Sequence, residues 1–403
     1  MIGVPKALRH LLEDAAQTVK VGYTLLIEPH LKPGTDYSGE SYRDSAQSVV
    51  HRFHTATMAL RVAEIIDETA TTKTFRLERT DGRLPLFQAG QYVNLFVEID
   101  GVQTSRPFTP SSRPGSPFLD LTVKQTPGGF VSPYLLEQTR VGDRFETTGL
   151  DGQFHTDEIT DREELVFLAG GSGITPFMSM IRDRVHRGWT KRTHLIYGCR
   201  TPEDVIFGRE LTRVAEDHAQ WFRYSLVISE PPPGYAGLTG LLDGEVVRRR
   251  VGAPGEPGSP DDRSYYVCGS RLMADFCRRE LLAMGVPGHR IKVDLCGPPL
   301  DVTQEVGWPA DVAGDESLTL VVRGRGRYRV RAGEPLMNAL ERFGIATPAR
   351  CRSGACGVCR LRVLSGKVFM PSGTAIRESD ESHGYIHACV AYPLTDLEVQ
   401  IPG

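Results

Sequence analysis

Four cysteines near the carboxyl terminus restrict the fold of this chain more than any other feature. Three lie in the run Cys351-Arg-Ser-Gly-Ala-Cys356-Gly-Val-Cys359, and Cys389 follows thirty residues later. The spacing C-x4-C-x2-C with a distant fourth cysteine is the plant-type ligand set of a [2Fe–2S] cluster. The small residues between the cysteines let backbone N–H groups approach the sulfur atoms. A zinc site and four unligated core cysteines are the alternatives, and the glycine pattern favours the iron–sulfur cluster.

Length, charge and the remaining cysteines limit the class of protein. A chain of 403 residues predicts several domains, and a net charge of −3 gives no reason to expect a nucleic-acid partner. The sequence has no apolar run long enough for a transmembrane helix and no signal-peptide pattern. The other cysteines (Cys199, Cys268, Cys277 and Cys296) are scattered, which favours a reducing compartment. We therefore expect a cytoplasmic protein.

The pattern of apolar residues changes along the chain and predicts five segments. Short alternating strands separated by turn residues are typical of an antiparallel β-barrel, whereas strands alternating with helices are typical of a parallel sheet covered by helices. The predicted segments are an N-terminal extension (1–57), the barrel (58–158), the α/β domain (159–295), a Pro/Gly-rich linker (296–315) and the cysteine-bearing domain (316–403).

The N-terminal extension has no predicted role. Leucines and small apolar residues at helical spacing between residues 8 and 19 predict an amphipathic helix. Residues 1–56 carry six basic and six acidic side chains, so they form no polybasic membrane anchor. Peripheral membrane contact through this extension stays an open alternative.

Two motifs of the predicted barrel have residue types that bind phosphate or an aromatic ring system. Arg106-Pro-Phe108-Thr109 offers a guanidinium, a ring and a hydroxyl on one strand. Gly129 precedes Ser132 at a predicted helix N-terminus, where free N–H groups favour an anion. Taken alone, the first motif is more typical of an ordinary edge strand than of a binding site, and the second is equally typical of an ordinary N-cap.

The α/β domain contains a glycine-rich crossover between a predicted strand and a predicted helix, a place where a dinucleotide pyrophosphate binds. Its residues are Gly171, Gly173, Thr175 and Pro176. Later, Cys268-Gly269 ends another strand, so we expect Cys268 to point into the same crevice. The alternative is that Cys268 is a small buried apolar side chain.

The order of these motifs resembles the ferredoxin–NADP reductase superfamily. With the cysteine-bearing domain at the carboxyl terminus, the chain is similar to single-chain oxygenase reductases, the type found with phenylacetyl-CoA epoxidase, vanillate demethylase, phthalate dioxygenase and desaturases. The resemblance covers residues 58–295 and 316–401. It implies a flavin-binding antiparallel barrel, a nucleotide-binding α/β domain and a C-terminal β-grasp ferredoxin domain.

The resemblance also implies roles for the barrel motifs. Arg106 would bind the flavin phosphate, and Thr109 would face N5 of the flavin ring as a catalytic residue. Phe108 occupies the place of the family's usual tyrosine, so ring packing is kept and the hydroxyl contact is lost. Gly129 and Ser132 match the pyrophosphate turn of FAD-binding members, so the resemblance favours FAD over FMN.

Roles in the other two domains follow in the same way. Gly171, Gly173, Thr175 and Pro176 match the nicotinamide-nucleotide loop, and Cys268 and Gly269 match the pair beside the hydride-transfer position. By the family pattern, Cys351 and Cys356 would bind one iron, and Cys359 and Cys389 the other. From the residues themselves, Arg200 follows a predicted strand and could reach a 2′-phosphate, which leans toward NADPH over NADH.

The resemblance implies a relay from NAD(P)H through FAD and the [2Fe–2S] cluster to a separate oxygenase, hydroxylase or desaturase. The alternatives are direct reduction of a small molecule or of a metal-cofactor protein in an anaerobic pathway, and a cluster-based redox sensor. We expect a monomer or weak oligomer. A mobile linker that lets the cluster swing and a rigid linker with one fixed geometry are both compatible with the sequence. Residues 317–403 carry twelve basic and seven acidic side chains, which suits an acidic partner and equally suits a solvated strand face or contact with the chain's own reductase domains.

Overall fold

The computed structural model describes residues 57–188, 191–251, 262–295 and 297–402, and Ala15 alone of the N-terminal extension. Residues 57–402 belong to one compact unit, Thr55–Gly403. The predicted N-terminal helix, apart from Ala15, and Cys296 lie outside the described residues. In the described part, no helix is both long and apolar enough to cross a membrane.

The first domain is an antiparallel six-stranded sheet with strand order β4-β3-β6-β1-β2-β5, as predicted. Its long first strand alternates buried Met58, Leu60 and Val62 with outward-facing residues, which gives the sheet one apolar face. Helix α1 adds Val131 and Leu135 to the same core. The elements are β1 (Thr57–Thr69), β2 (Thr72–Arg79), β3 (Val93–Ile99), β4 (Val102–Phe108), β5 (Phe118–Lys124), α1 (Val131–Gln138) and β6 (Arg144–Thr148).

The second domain is a six-stranded parallel sheet with order β10-β9-β8-β7-β11-β12, and it confirms the predicted α/β class. Its central strand β7 is continuously apolar from Leu165 to Ala169, because helices cover both faces. The elements are β7 (Glu164–Gly170), a 3-10 turn (Gly171–Ile174), α2 (Thr175–Arg187), β8 (Arg192–Cys199), α3 (Gly208–Asp217), β9 (Phe222–Ile228), β10 (Leu238–Thr239), α4 (Gly244–Val251), β11 (Ser264–Gly269), α5 (Arg271–Ala283) and β12 (Ile291–Leu295).

Polar contacts join these two domains. Ser179 on α2 donates to the carbonyl of Ser112 at 2.7 Å, and Arg182 on the same helix donates to the carbonyl of Ser111 at 2.9 Å. The Lys124 ammonium lies 2.9 Å from the carboxylate of Asp204. The barrel loop after β4 is therefore fixed against the helix that begins at the nucleotide loop.

The third domain is a mixed five-stranded sheet with order β14-β13-β19-β15-β17. Helix α6 packs its apolar residues onto this sheet and completes the core. The elements are β13 (Ser317–Val322), β14 (Gly326–Arg331), α6 (Leu336–Arg342), β15 (Arg360–Ser365), β16 (Val368–Phe369), α7 (Glu378–Ser382), β17 (Tyr385–His387), β18 (Tyr392–Pro393) and β19 (Leu397–Gln400).

The predicted linker packs on this third domain along much of its length. Val302 is buried, and the Trp308 ring meets the Phe369 ring edge-on with centroids 5.3 Å apart. The indole N–H of Trp308 donates to the carbonyl of Val312 at 2.9 Å. Only six residues separate Leu295, the end of β12, from buried Val302. The short connection therefore leaves the third domain little freedom to move away from the second.

Candidate functional site

The cluster loop, residues 351–359, brings the four predicted cysteine ligands together. Backbone N–H groups of Ala355 and Cys356 both donate to the sulfur of Cys351 at 3.3 Å. Such donors stabilise a thiolate, because they point partial positive charge at the sulfur. The loop can turn this tightly because Gly354 and Gly357 have φ of 84° and 69°, which glycine adopts without strain.

The four thiols also perturb one another, which shows that they converge. Contacts with Cys356 and then Cys389 lower the pKa of Cys351, and the contact with Cys351 raises the pKa of Cys356. Contact with Cys389 lowers the pKa of Cys359. Among the described residues, no three His, Cys, Asp or Glu side chains surround a point suited to a single metal ion. The contacts link the four cysteines in the order Cys356, Cys351, Cys389, Cys359, and this donor set fits a two-iron cluster.

The cluster loop has a buried side and an exposed side. Arg352 and Ser353 are each 4 % exposed, and Gly354 is buried. Ala355 and Cys356 are exposed, and Val358 is 38 % exposed. The buried side faces the other two domains, as the next two contacts show.

The first contact is a buried hydrogen-bond network between the loop and the barrel. The hydroxyl of Thr104 on β4 donates to Glu341 Oε2 at 2.9 Å. It accepts from Arg352 Nη2 at 3.1 Å and from Arg106 Nη1 at 2.7 Å. Glu341, on α6, also forms an ion pair with Arg352. Arg352 thus pairs directly with the one carboxylate, whereas Arg106 reaches it only through the Thr104 hydroxyl, and the network carries a net charge of +1 on these side chains.

The second contact joins the cluster loop to the carboxyl ends of the parallel strands. Arg271, at the start of α5, donates to the carbonyls of Ser353 at 3.0 Å and Ser372 at 3.1 Å. Burial, and then the nearby Cys351, raises the pKa of Asp294 on β12 to about 7. The cluster loop, the strand bearing Arg106 and the nucleotide crevice therefore meet at one place.

The predicted flavin residues of the barrel lie next to this meeting point. Arg106 is largely buried, and burial followed by repulsion from Arg352 lowers its pKa to about 10. A phosphate beside Arg106 would compensate this uncompensated positive charge, so the residues fit the phosphate of a flavin. Phe108 is half-buried at the end of β4, and the half-buried Thr109 hydroxyl has no hydrogen-bond partner among the described residues.

The predicted pyrophosphate turn differs from its prediction in one detail. Helix α1 begins at Val131, so Ser132 lies inside its first turn and is not the N-cap. The Ser132 hydroxyl instead accepts a hydrogen bond from the N–H of Thr126 at 2.9 Å, which closes the turn. A Cβ at Gly129 would lie 2.9 Å from the carbonyl oxygen of Thr126, so the turn needs a glycine there. The tight turn fits a phosphate-bearing ligand at a helix start.

The nucleotide loop joins β7 to α2 as predicted. Gly171 has φ of 52°, and its carbonyl accepts from the Tyr197 hydroxyl at 2.9 Å. A Cβ at Gly173 would lie 2.3 Å from the carbonyl oxygen of Cys268, so the loop and the end of β11 touch backbone to backbone. Thr175 opens α2 with its hydroxyl 3.3 Å from the carbonyl of Ser172.

Pro176 occupies the first turn of α2, where the missing N–H costs no hydrogen bond. The helix dipole at this end of α2 suits a pyrophosphate.

The Cys268-Gly269 pair lies beside this loop, but the Cys268 side chain is 1 % exposed and belongs to the core between sheet and α2. Its thiol therefore packs into this core in this structure, while the Cys268 carbonyl lies against Gly173. A Cβ at Gly269 would lie 2.5 Å from the sulfur of Met273. Met273 on α5 therefore packs against Gly170 and Gly269 at the strand ends, and no sequence motif singled it out.

Arg200 follows β8 at the same edge of the sheet and is exposed. Its guanidinium lies 3.7 Å from the Asp204 carboxylate and 3.9 Å from that of Glu230. Two carboxylates thus already surround the group that the sequence assigns to a 2′-phosphate, and that assignment stays a prediction.

The chain matches three family models. They describe an oxidoreductase FAD-binding domain over residues 57–156, an oxidoreductase NAD-binding domain over 167–279 and a 2Fe-2S iron-sulfur cluster binding domain over 321–394. The chain is 32 % identical to ferredoxin–NADP reductase B of Sorangium cellulosum, over 54 % of this chain and 88 % of the relative. The chain belongs to the ferredoxin–NADP reductase superfamily.

Longer similarities cover all three domains. The glycine betaine monooxygenase reductase subunit of Chromohalobacter salexigens is 29 % identical over 85 % of this chain and 94 % of the relative. The solved structure of phthalate dioxygenase reductase superposes with a TM-score of 0.64 at 20 % identity, over 86 % of this chain and 98 % of that one. The predicted superfamily, the three-domain fold and the cofactors FAD, pyridine nucleotide and [2Fe–2S] are confirmed. The protein is an oxidoreductase of the ferredoxin reductase type.

Several residues of the meeting point were not predicted: Thr104, Arg271, Glu341 and Arg352. Only Arg352 had a signal in the sequence, because it is a charged residue between two cluster ligands. Thr104 and Glu341 stand 237 positions apart, so neither strand nor helix periodicity relates them.

Proposed function

We propose that this reductase passes electrons from NADH or NADPH through FAD and its [2Fe–2S] cluster to a separate oxygenase, hydroxylase or desaturase. The observation that carries the proposal is the meeting of the cluster loop, the Arg106 strand and the nucleotide crevice through Arg271 and Thr104. When bound, FAD would convert the transfer of one hydride, which carries two electrons, into two single-electron transfers, and a [2Fe–2S] cluster accepts one electron at a time.

The protein side chains bind and orient these groups in the proposed mechanism. Arg106 holds the flavin phosphate, while Thr109 offers its hydroxyl, and Phe108 its ring, to the flavin. The first turn of α2 holds the nucleotide pyrophosphate, and Cys268 and Gly269 border the nicotinamide. Cys351, Cys356, Cys359 and Cys389 ligate the cluster. The buried surroundings of Arg352 and Ser353 exclude water between the flavin strand and the loop.

Two observations support an oxygenase-type acceptor. The relative of the same domain composition is named as the reductase subunit of a monooxygenase. The hairpin β13–β14 presents five exposed arginines, and one of them, Arg323, pairs with Glu398 at 3.1 Å. Such a basic surface attracts an acidic partner. The arginines are Arg323, Arg325, Arg327, Arg329 and Arg331.

Further parts of the proposal concern nucleotide choice, location and domain limits. The carboxylates beside Arg200 weaken the case for NADPH, so we propose that both nucleotides are accepted. Cysteines outside the cluster form no disulfide among the described residues, which supports a cytoplasmic location. We propose domains at 58–158, 159–295 and 316–403, with the packed segment before residue 316 associated with the last.

The test is an absorption spectrum of the anaerobic purified protein before and after NADH or NADPH. We expect flavin and iron–sulfur bands that both bleach, acid-released FAD, and steady reduction of cytochrome c. Bleaching without turnover would favour a redox sensor over a reductase. A colourless, iron-free protein after anaerobic reconstitution would contradict the proposal.

A further inference from the structure

The cluster loop has two sides with different surroundings, and this bears on how electrons enter and leave. Residues 352–354 are buried against the barrel and the nucleotide domain, whereas Ala355, Cys356 and Val358 are exposed. A domain that had to swing away to deliver electrons would need no exposed side while docked. Here an acceptor can approach the cluster ligand Cys356 while the other side stays covered.

The docked position is fixed from two different domains. Thr104 of the barrel binds Glu341 and Arg352, and Arg271 of the nucleotide domain binds the carbonyls of Ser353 and Ser372. Contacts to two separate bodies restrain rotation as well as translation of the ferredoxin domain. Outside this buried region, Arg350 forms a third link to Asp151.

Glu341 has the central electrostatic part in this contact. It is 8 % exposed and is the one carboxylate in the network with the guanidinium groups of Arg106 and Arg352. Without its charge, two cations would face each other across the domain boundary in a region of low dielectric, where repulsion is strong. Glu341 therefore permits the cluster loop to dock on the flavin strand.

The connection between the domains also limits movement. Six residues separate Leu295 from the buried Val302, so these two residues lie at most about 25 Å apart when the connection is fully extended. The segment that follows packs on the ferredoxin core through Trp308. A large excursion would have to break this packing as well as the two contacts.

On these grounds, and resting on the proposed function, we infer that Thr104, Glu341 and Arg271 are positioning residues. They hold the cluster loop in one fixed place, where its buried side receives electrons and the exposed residues Ala355–Val358 form the docking surface of a protein acceptor. The cluster delivers electrons without leaving the reductase domains.

The first experiment measures docking and internal electron transfer in the full-length holoprotein. In Glu341→Gln we expect faster amide exchange in residues 351–354 and reduction of the cluster slowed about 100-fold, since a buried charge loses its partner. Thr104→Val, which removes one neutral partner, should slow it about fivefold. Flavin reduction by the nucleotide and the visible spectrum of the oxidised cluster should be unchanged. The matched control is Glu334→Gln, whose carboxylate pairs with Arg342 within the ferredoxin domain.

Two outcomes of this experiment overturn the inference: unchanged amide exchange in both variants, or faster exchange with an unchanged rate of cluster reduction. Failure of the wild-type flavin or cluster to bleach with NADH or NADPH contradicts the proposed function instead, so the two failures are distinguishable.

The second experiment tests delivery from the docked state. Asp151→Cys and Arg350→Cys together allow a short bis-maleimide to cross-link the domains in the holoprotein. Retained cytochrome c reduction after cross-linking supports fixed docking, and its loss, with internal cluster reduction intact, overturns it.

Val358→Glu should slow cytochrome c reduction but not internal reduction, whereas Val306→Glu, at a valine that is 86 % exposed, should change neither. Equal rates of cytochrome c reduction in the two valine variants would contradict the assignment of Ala355–Val358 as the docking surface.

Discussion

The nucleotide loop and the cluster loop are both glycine-rich turns, but different kinds of contact hold them. The nucleotide loop is fixed by backbone packing, with Gly173 against the carbonyl of Cys268. The cluster loop is fixed by side chains: its own thiols, Arg352, and Arg271 from the neighbouring domain. The first should therefore fail when a side chain is added, and the second when one is removed.

The largest expected effect comes from removing one thiol. Cys356→Ser should abolish the iron–sulfur absorbance, because a hydroxyl is a poor replacement for a thiolate ligand. Flavin reduction by the nucleotide should persist, since its residues lie in other domains. Absorption spectra with and without nucleotide measure both, and Cys277→Ala, at a buried cysteine of the parallel-sheet domain, is the control. Loss of both signals in Cys356→Ser would contradict the division of roles between the loops.

The next effect tests the backbone-held loop by adding one methyl group. Gly173→Ala would place a Cβ 2.3 Å from the carbonyl oxygen of Cys268, so one of the two backbones must move. We expect a loss of about 1–3 kcal/mol of unfolding free energy together with a raised KM for the nucleotide.

The control for this prediction is at the other end of the same helix. Gly188, with φ of 70°, has open space around its Cβ position, so Gly188→Ala should cost about 1 kcal/mol in stability and leave KM unchanged. Thermal denaturation and steady-state kinetics of both variants distinguish the outcomes. A normal KM in Gly173→Ala would mean that the loop yields without cost.

Arg106 lies in the barrel, but its neighbour Arg352 belongs to the cluster loop. We therefore expect Arg106, like that loop, to be sensitive to removal of a side chain. Arg106→Ala should raise the Kd of FAD about 10- to 100-fold through loss of a charge-assisted hydrogen bond. Fluorescence titration of the flavin-free protein measures this change, and Arg61→Ala, at an exposed ion pair with Glu78, serves as control. Unchanged flavin affinity would remove the phosphate-binding role from Arg106.

The smallest expected effect is at Arg200, beside the backbone-held loop. Because Asp204 and Glu230 already lie near its guanidinium, Arg200→Ala should raise the KM for NADPH only about fivefold. The KM for NADH should stay constant. An equal change for both nucleotides would exclude recognition of the 2′-phosphate by this residue.

The sequence predicted the fold and the [2Fe–2S] cofactor because both depend on local patterns. Apolar runs such as Leu165–Ala169 identify buried parallel strands, and the spacing of four cysteines identifies a cluster without any tertiary information. The start of α1 was missed by a short margin. Ser132 has the composition of an N-cap, but its hydroxyl closes a turn with Thr126, and the helix begins one residue earlier.

The contacts between domains could not be predicted from sequence. Thr104 and Arg352 are 248 positions apart, and a lone threonine on a strand has nothing that marks a partner in another domain. The sequence left open whether the Cys268 thiol faces the crevice or is buried, because this depends on how the sheet packs against α2. Local patterns specify the parts, and docking decides which side chains meet.

The packing of Trp308 has a consequence for how this protein could be divided or recombined. Its ring covers Phe369 and Tyr392, so a fragment starting at residue 316 would expose an aromatic surface to water and would tend to aggregate. A self-sufficient ferredoxin fragment has to begin before Val302. Gene fusions that exchange this module among reductases would therefore succeed only when the crossover lies in the few codons after β12.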